Sequence, residues 1–83
     1  MSHLIPVDES KIEIIKGTYC SGMHYINIYY YIGFIDENGT ACRLSEPTFY
    51  YSEAKDKFKK KQYAKFVTAT EYQNGLKIYT AAK

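Results

Sequence analysis

Alternation of apolar and polar side chains predicts strands along much of the chain, and residues 24–36 carry the strongest signal. Every even-numbered position from Ile26 to Phe34 is aliphatic or aromatic. A period of two is typical of a strand with one buried face, so we predict that this even face meets the core. The odd face then presents three phenols and one amide: Tyr25, Asn27, Tyr29 and Tyr31.

The turn after this strand tests which way its side chains point. Residues 38–39, Asn-Gly, are a hairpin signal. A two-residue loop would place Phe34 opposite Arg43, whereas a three-residue loop places Phe34 opposite Cys42 and keeps apolar partners on the even face. Because a slip of one residue exchanges the two faces, we favour the three-residue loop, with Gly39 in the left-handed conformation.

Shorter patterns predict the remaining elements. Residues 1–10 are expected to form an irregular arm, because Pro6 and the polar run Asp8-Glu9-Ser10 discourage regular structure. The patterns that follow predict a strand over 11–20, a third strand ending near Leu44, a helix over 53–62 capped by Ser52, and two last strands around Gln73-Asn74-Gly75. A three-residue loop in the last hairpin pairs Thr70 with Ile78.

These elements give the order β-β-β-α-β-β in a single domain over residues 1–83. We expect an α+β fold, with a small antiparallel sheet and one helix packed on it. The sheet is expected to be open, and a partly closed small barrel is the alternative. A chain of 83 residues buries only about 60% of the surface that its unfolded form exposes, so its stability should be modest.

Charge is distributed unevenly along the chain. Residues 1–53 hold seven acidic and three basic side chains, whereas residues 54–83 hold eight lysines and two acids. The predicted helix has only Ala54 and Phe58 as an apolar stripe, so its outer face should be strongly basic. The lysines that form this basic surface, and the tyrosines that precede it, are Lys55, Lys57, Lys59, Lys60, Lys61, Lys65, Tyr50 and Tyr51.

Catalytic and metal-binding patterns are weak in this sequence. Cys20 or Cys42 with His24 would be a nucleophile–base pair, but no oxyanion device or orienting acid accompanies them. The same three residues with His3 match no zinc-binding spacing. No glycine-rich loop precedes a helix. We therefore predict no catalytic residues, no metal site and no cofactor, and we expect a protein that is not an enzyme.

Location is inferred from segments that the sequence lacks. No apolar run approaches the ~20 residues that span a bilayer, and the first residues lack the pattern of a signal peptide. Cys20 and Cys42 are too few for a disulfide framework, so we expect two free thiols, with a Cys20–Cys42 bond as the alternative. These features favour the cytoplasm and no membrane contact.

The phenol row and the lysine run are the candidate binding features. A row of tyrosines suits the centre of a protein interface, and it equally suits a stacking platform for bases. The tyrosine row would instead belong to a second core if the helix covered it or if the sheet closed into a barrel around it. The lysines suit an acidic protein surface or a phosphate backbone, but they are also typical of a solvated helix face.

The sequence thus favours a small non-catalytic binding module whose partner is a protein with an acidic surface. Inhibitors and adaptors made by bacteriophages and other mobile elements are of this size and lack chemistry, which makes a viral inhibitor one expectation. A single-stranded nucleic-acid binder, with tyrosine stacking and lysine–phosphate contacts, is the alternative. A structural or assembly subunit, such as a homodimer formed by sheet edges, is the second alternative.

Overall fold

The computed structural model describes residues 3–23 and 25–82, which form two three-stranded antiparallel sheets and one α-helix. One sheet, here the long sheet, has the order β2-β3-β4, and the short sheet has the order β1-β5-β6. Neither sheet closes into a barrel, and the predicted α+β class is confirmed. The elements are β1 (His3–Pro6), a 3-10 helix (Glu9–Lys11), β2 (Glu13–Ser21), β3 (Tyr25–Ile35), β4 (Ala41–Arg43), α1 (Tyr51–Lys59), β5 (Phe66–Glu71) and β6 (Lys77–Ala81).

The amino-terminal segment corrects the prediction of an irregular arm over residues 1–10. Residues 3–6 form β1, an edge strand that pairs with β5 and places Ile5 opposite Val67. Pro6 ends β1, a position where an edge strand tolerates its missing N–H. The polar run that follows forms the 3-10 helix, because the Asp8 carboxylate accepts hydrogen bonds from the backbone and the hydroxyl of Ser10. These hydrogen bonds hold the pKa of Asp8 below its usual range.

The β3–β4 and β5–β6 hairpins have the registers that the sequence predicts. Phe34 lies opposite Cys42, and Thr70 lies opposite Ile78. Gly39 has a φ of 79°, the left-handed conformation that the three-residue loop requires. The registers therefore follow from loop length and from the alternation of the two faces.

The core lies where the two sheets and α1 meet on the even face of the long sheet. Ile32 and Val67 are the largest fully buried side chains among the described residues. Phe34 of β3 packs against Tyr79 of β6, with ring centroids 6.1 Å apart. Ile12, Ile32, Cys42, Leu44 and Val67 form the buried cluster.

The even face of β3 is buried along only part of its length. Ile32 is fully buried, but Ile28 is 40% exposed and Ile26 is 71% exposed. The predicted burial is therefore wrong for Ile26 and Ile28. The reason is geometric: α1 and the short sheet cover β3 only from about Tyr30 onward, so the turn end of the β2–β3 hairpin projects beyond the core.

The helix begins two residues earlier than predicted, and Ser52 is not its cap. α1 spans Tyr51–Lys59, and its N-cap residue Tyr50 makes no side-chain capping hydrogen bond. Thr48 orders this end instead: its hydroxyl accepts a hydrogen bond from the Tyr50 N–H and donates one to the Glu53 carboxylate, at 2.6 Å. Glu53 lies in the first turn, where its charge complements the helix dipole.

The two cysteines are free thiols. Cys20 lies opposite Ile26 and Cys42 lies opposite Phe34. These β3 positions are about 27 Å apart at the rise of ~3.4 Å per residue of an antiparallel strand. The separation excludes the alternative Cys20–Cys42 disulfide in this fold, and it prevents the two thiols from sharing a metal ion.

The thiols should differ strongly in reactivity. Cys20 is exposed, whereas Cys42 is buried. Burial, with a smaller effect from the Asp36 charge, raises the pKa of the Cys42 thiol and lowers its thiolate fraction. Timed iodoacetamide treatment with mass spectrometry should give a fast adduct at Cys20 and a slow one at Cys42. Urea-unfolded protein is the control, and equal rates in the native protein would contradict the burial of Cys42.

Candidate binding surface

The two layers that cover the long sheet, α1 and the short sheet, both pack on the same face of it. α1 packs on the even face, where Tyr51 meets Tyr30 edge to face at 5.3 Å. The short sheet packs on the same face, through the contact between Phe34 and Tyr79. Within residues 3–23 and 25–82, no helix or strand packs on the odd face. The odd face is therefore a sheet surface without a covering layer in the described part of the chain.

Aromatic rings form a continuous cluster on this odd face. Tyr19 of β2 lies 6.0 Å from Tyr29 and 6.3 Å from Phe49, measured between ring centroids. Tyr29 in turn lies 6.0 Å from Tyr31, with the two rings nearly parallel. Tyr25 lies on the same face, opposite Ser21. We call this surface the aromatic face, which comprises Tyr19, Tyr25, Tyr29, Tyr31 and Phe49, with Arg43 beside them.

A glycine on the neighbouring strand positions the Tyr29 ring. Gly17 lies directly opposite Tyr29. A Cβ atom at Gly17 would lie 2.3 Å from the Tyr29 ring, so the ring occupies the space that any other side chain would fill. Covering a strand glycine with a cross-strand aromatic ring is a recurrent way of stabilising a sheet at such a position. The ring therefore lies across β2 and leaves its outer side available.

The rings differ widely in exposure. Tyr31 is only 9% exposed, because Tyr29 and the Arg43 guanidinium, 5.4 Å from the Tyr31 ring centroid, lie over it. Its burial, and then its proximity to Tyr29, raises the pKa of the Tyr31 phenol. Tyr25 is 73% exposed and Phe49 is 59% exposed. Tyr31 is thus the floor of the aromatic face, and Tyr25 and Phe49 are the rings that a partner would reach first.

A small cleft opens within the aromatic face. Its volume is about 220 Å³, and three of its six lining residues are aromatic. Cofactor pockets are usually larger, about 300–1,000 Å³, so this cleft suits a single inserted side chain better than a cofactor. Its lining residues are Tyr19, Tyr29, Arg43, Pro47, Thr48 and Phe49.

Sequence reasoning did not include Tyr19, Phe49 or Arg43 in the candidate site. Tyr19 was detectable, since it has the odd parity that places it opposite Asn27 on the phenol side. Phe49 also has odd parity, but it lies beyond Leu44, where the third strand is predicted to end, so the rule did not extend to it. Thr48 forms a β-bridge with Tyr30, and this pairing is shifted by two residues from the register between β3 and β4. The shift brings Phe49 over the aromatic face.

The predicted lysines of α1, which are Lys55, Lys57 and Lys59, lie on the side of the sheet opposite to the aromatic face, because α1 packs on the even face; Lys60, Lys61 and Lys65 follow the helix. Lys60 pairs with Asp56 at 3.1 Å, and the Lys65 ammonium lies 3.8 Å from the Tyr63 ring centroid. Tyr51 packs on Tyr30, and Tyr50 is exposed at the start of α1. The structure thus divides the predicted site residues between two faces: Tyr25, Asn27, Tyr29 and Tyr31 on one side, and Tyr50, Tyr51 and Lys55–Lys61 near or on the helix.

Several predictions concern residues that are only partly described. His24, whose pairing with a cysteine the sequence disfavours, lies outside the described residues, as does the side chain of His3. Among the described side chains, no three His, Cys, Asp or Glu residues are grouped so as to hold a metal ion. No helix in the described ranges is long and apolar enough to cross a membrane.

Fold and surface together define a small α+β domain with one uncovered aromatic sheet face in its described residues. No protein-family profile, curated protein or solved structure matches this chain.

Proposed function

We propose that this protein is a non-catalytic binding module that docks onto a partner protein through its aromatic face. The observation that carries the proposal is the contiguous cluster of exposed rings on a sheet face with no covering layer among the described residues. Exposed apolar patches of this kind mark interaction surfaces. Tyr and Arg are also the residues most enriched among those that dominate binding energy in protein interfaces.

The distribution of cations favours a protein partner over a single-stranded nucleic acid. Binding to a phosphate backbone requires several cationic contacts along the groove that holds the bases. Arg43 is the cationic side chain that the described strands present on the aromatic face, and it lies over Tyr31. The lysines of α1 lie on the opposite side, so bases stacked on Tyr25 or Phe49 would not bring their phosphates to them.

The lysines have a different role in this proposal. Their positive field attracts an acidic partner and raises the rate of encounter, an effect that does not require contact with the aromatic rings. A partner side chain then enters the cleft of about 220 Å³. Binding by an inhibitor or adaptor of this kind, in a reducing cytoplasm that keeps both thiols free, is the biological setting that we propose.

Loss of two exposed rings should abolish capture of the partner. A Tyr25→Ser, Phe49→Ser variant removes the two most exposed side chains of the aromatic face and should weaken binding by about 30-fold or more, the effect of losing one strong interface residue. Affinity capture from the native host with mass spectrometry identifies the partner, and titration of that partner gives the affinity.

A matched variant separates this surface from general hydrophobicity. Tyr72→Ser with Phe66→Ser removes one tyrosine and one phenylalanine, each about half exposed, from the short-sheet side of the molecule. This control should bind the partner as the wild type does. Equal loss of binding in both variants would show that the aromatic face is not the docking surface.

Salt titration tests the nucleic-acid alternative directly. Binding to a fluorescent single-stranded oligonucleotide should be undetectable at about 50 mM salt if the partner is a protein. Measurable affinity that falls steeply with salt would support nucleic-acid binding instead. Light scattering addresses the assembly alternative, for which a concentration-dependent dimer is the expected result.

A further inference from the structure

The β2 strand has one edge to which no described residue is hydrogen-bonded. On β3, Tyr30 exchanges both of its backbone hydrogen bonds with Thr48, on the β4 side of the sheet. Backbone groups alternate in direction along an antiparallel strand, so the odd positions of β3 bond to the odd positions of β2. The even positions of β2 therefore direct their N–H and C=O groups outward: Ile14, Lys16, Thr18 and Cys20.

A groove runs beside this edge, between β2 and α1. Its volume is about 350 Å³, and its floor is apolar. Ile12 is buried and Ile14 is half-buried in that floor, while Phe58 and Tyr51 of α1 form the opposite wall. A strand added to β2 would direct every second side chain toward this even face, where the groove lies.

The rim of the groove carries more positive than negative charge: Glu13 also lines it, but among the described residues it forms no ion pair with the rim lysines. Lys55 and Lys59 line the rim from α1, and Lys16 lies on the same face of β2, two residues beyond Ile14. Neither Lys55 nor Lys59 is ion-paired with another residue of the described ranges, where the pairs are Lys60–Asp56 and Lys61–Glu9. Carboxylates on an added strand would thus meet lysines that form no ion pair with any described acidic side chain.

We infer that the β2 edge and this groove bind an extended acidic segment of a partner protein as an additional strand. Backbone hydrogen bonds to Ile14, Lys16 and Thr18 hold the segment, apolar side chains enter the groove, and acidic ones meet Lys55 and Lys59. Strand addition at an exposed sheet edge is an established mode of peptide recognition. The inference rests on the proposed function as a protein-binding module, but it uses the side of the sheet opposite to the aromatic face.

A second copy of this chain fits the edge less well than an acidic segment does. The register that pairs all of β2 with its copy is centred on Gly17. In that register, Lys16 would lie diagonally across from Lys16 of the copy, where two long side chains of like charge are within reach of each other. Lysine on an edge strand is also a common device against self-pairing. The charges therefore favour a partner strand that carries acidic residues.

A phage-displayed library of random linear twelve-residue peptides tests the inference on the full chain. Selected peptides should alternate apolar and acidic residues. A Lys55→Glu, Lys59→Glu variant should bind them at least about tenfold more weakly, because two attractive contacts become repulsive. The control Lys57→Glu, Lys60→Glu changes the net charge equally, in the last turn of the same helix and at its C-cap, outside the groove lining, and should lose less than about threefold. No enrichment, enrichment without acidic residues, or equal loss in both variants would overturn the inference.

Methylated peptides test the backbone hydrogen bonds themselves. N-methylation of alternate amides removes either the donors that face β2 or those that face solvent. One of the two methylated sets should bind at least about tenfold more weakly, and the other within about twofold of the parent peptide. A Thr18→Pro variant removes an outward N–H without removing a β2–β3 hydrogen bond, and it should weaken binding as well. Equal effects of the two methylation sets would exclude strand addition.

The outcomes of the two proposals can be separated. The Tyr25→Ser, Phe49→Ser variant should bind the selected peptides as the wild type does, because its substitutions lie on the other face. If that variant also captures the native partner normally, the proposed docking by the aromatic face fails and the groove stands. If the groove variant captures the partner normally and no acidic peptide is selected, the groove fails and the aromatic face stands.

Discussion

Replacement of Ile32 by alanine should destabilise the fold by about 2–5 kcal/mol, the range observed when a large aliphatic side chain is truncated in a packed core. Ile32 is fully buried at the centre of β3. It lies opposite Ile14, and its carbonyl accepts a hydrogen bond from the Leu44 N–H. A domain of this size has a total stability of roughly 4–12 kcal/mol, so this one truncation removes a large fraction of it.

The same strand supplies the matched control. Ile26 is also an isoleucine on the even face of β3, but it is 71% exposed. Ile26→Ala should change the free energy of unfolding by less than about 0.5 kcal/mol. Urea denaturation followed by circular dichroism measures both variants. Similar losses at positions 26 and 32 would mean that the turn end of the β2–β3 hairpin is buried, contrary to the structure.

The contrast between Ile26 and Ile32 also shows what an alternating pattern can predict. Alternation identifies which side chains share a face, and both residues are on the predicted even face. It does not say how far along the strand the covering layer extends. That depends on where α1 and the short sheet dock, and these contacts join residues distant in sequence, such as Phe34 and Tyr79. The sequence could therefore predict the facing of β3 but not the end of its buried part.

Turn chemistry was the most informative local signal. Two loops ending in Asn-Gly predicted both hairpin registers, because a glycine with positive φ and a fixed loop length leave one pairing that keeps apolar residues together. The β1 strand was missed for the opposite reason. Its four residues include Pro6, and it becomes a strand only by pairing with β5, about sixty positions later. Such a pairing leaves no local pattern.

The sequence predicted several residues of the candidate site but not how they are arranged in space. The phenol row of β3 was read directly from alternation, and Tyr25 is as exposed as that prediction requires. Whether the helix lies over the phenols or over the isoleucines depends on which face offers the better packing. Tyr51 packs on Tyr30, and this choice separates the lysines of α1 from the aromatic face. The sequence pattern alone does not show which face of the sheet the helix covers.

Replacement of Gly33 by alanine should disrupt the pairing of β4 and destabilise the protein by about 1–3 kcal/mol or more, the usual range for overpacking. A Cβ atom at Gly33 would lie 2.2 Å from the Cys42 carbonyl oxygen and 3.2 Å from the Ile15 side chain. The carbonyl belongs to the backbone of β4, so no side-chain rotation relieves the overlap. β4 must move away from β3, which weakens the Leu44 N–H hydrogen bond to Ile32.

Gly39→Ala distinguishes this steric effect from a general cost of losing glycine. Gly39 has a φ of 79°, and a Cβ atom added there would meet no described atom within 4 Å, so alanine carries only the cost of a left-handed backbone, about 1–2 kcal/mol. Both variants therefore lose stability in urea, but hydrogen exchange separates them. Gly33→Ala should lose protection at the Leu44 amide well below the global unfolding free energy, whereas Gly39→Ala should keep that amide protected up to global unfolding. Full protection of Leu44 in Gly33→Ala would mean that β4 accepts a side chain at this position without moving away from β3, contrary to the close approach of the Cys42 carbonyl oxygen to Gly33.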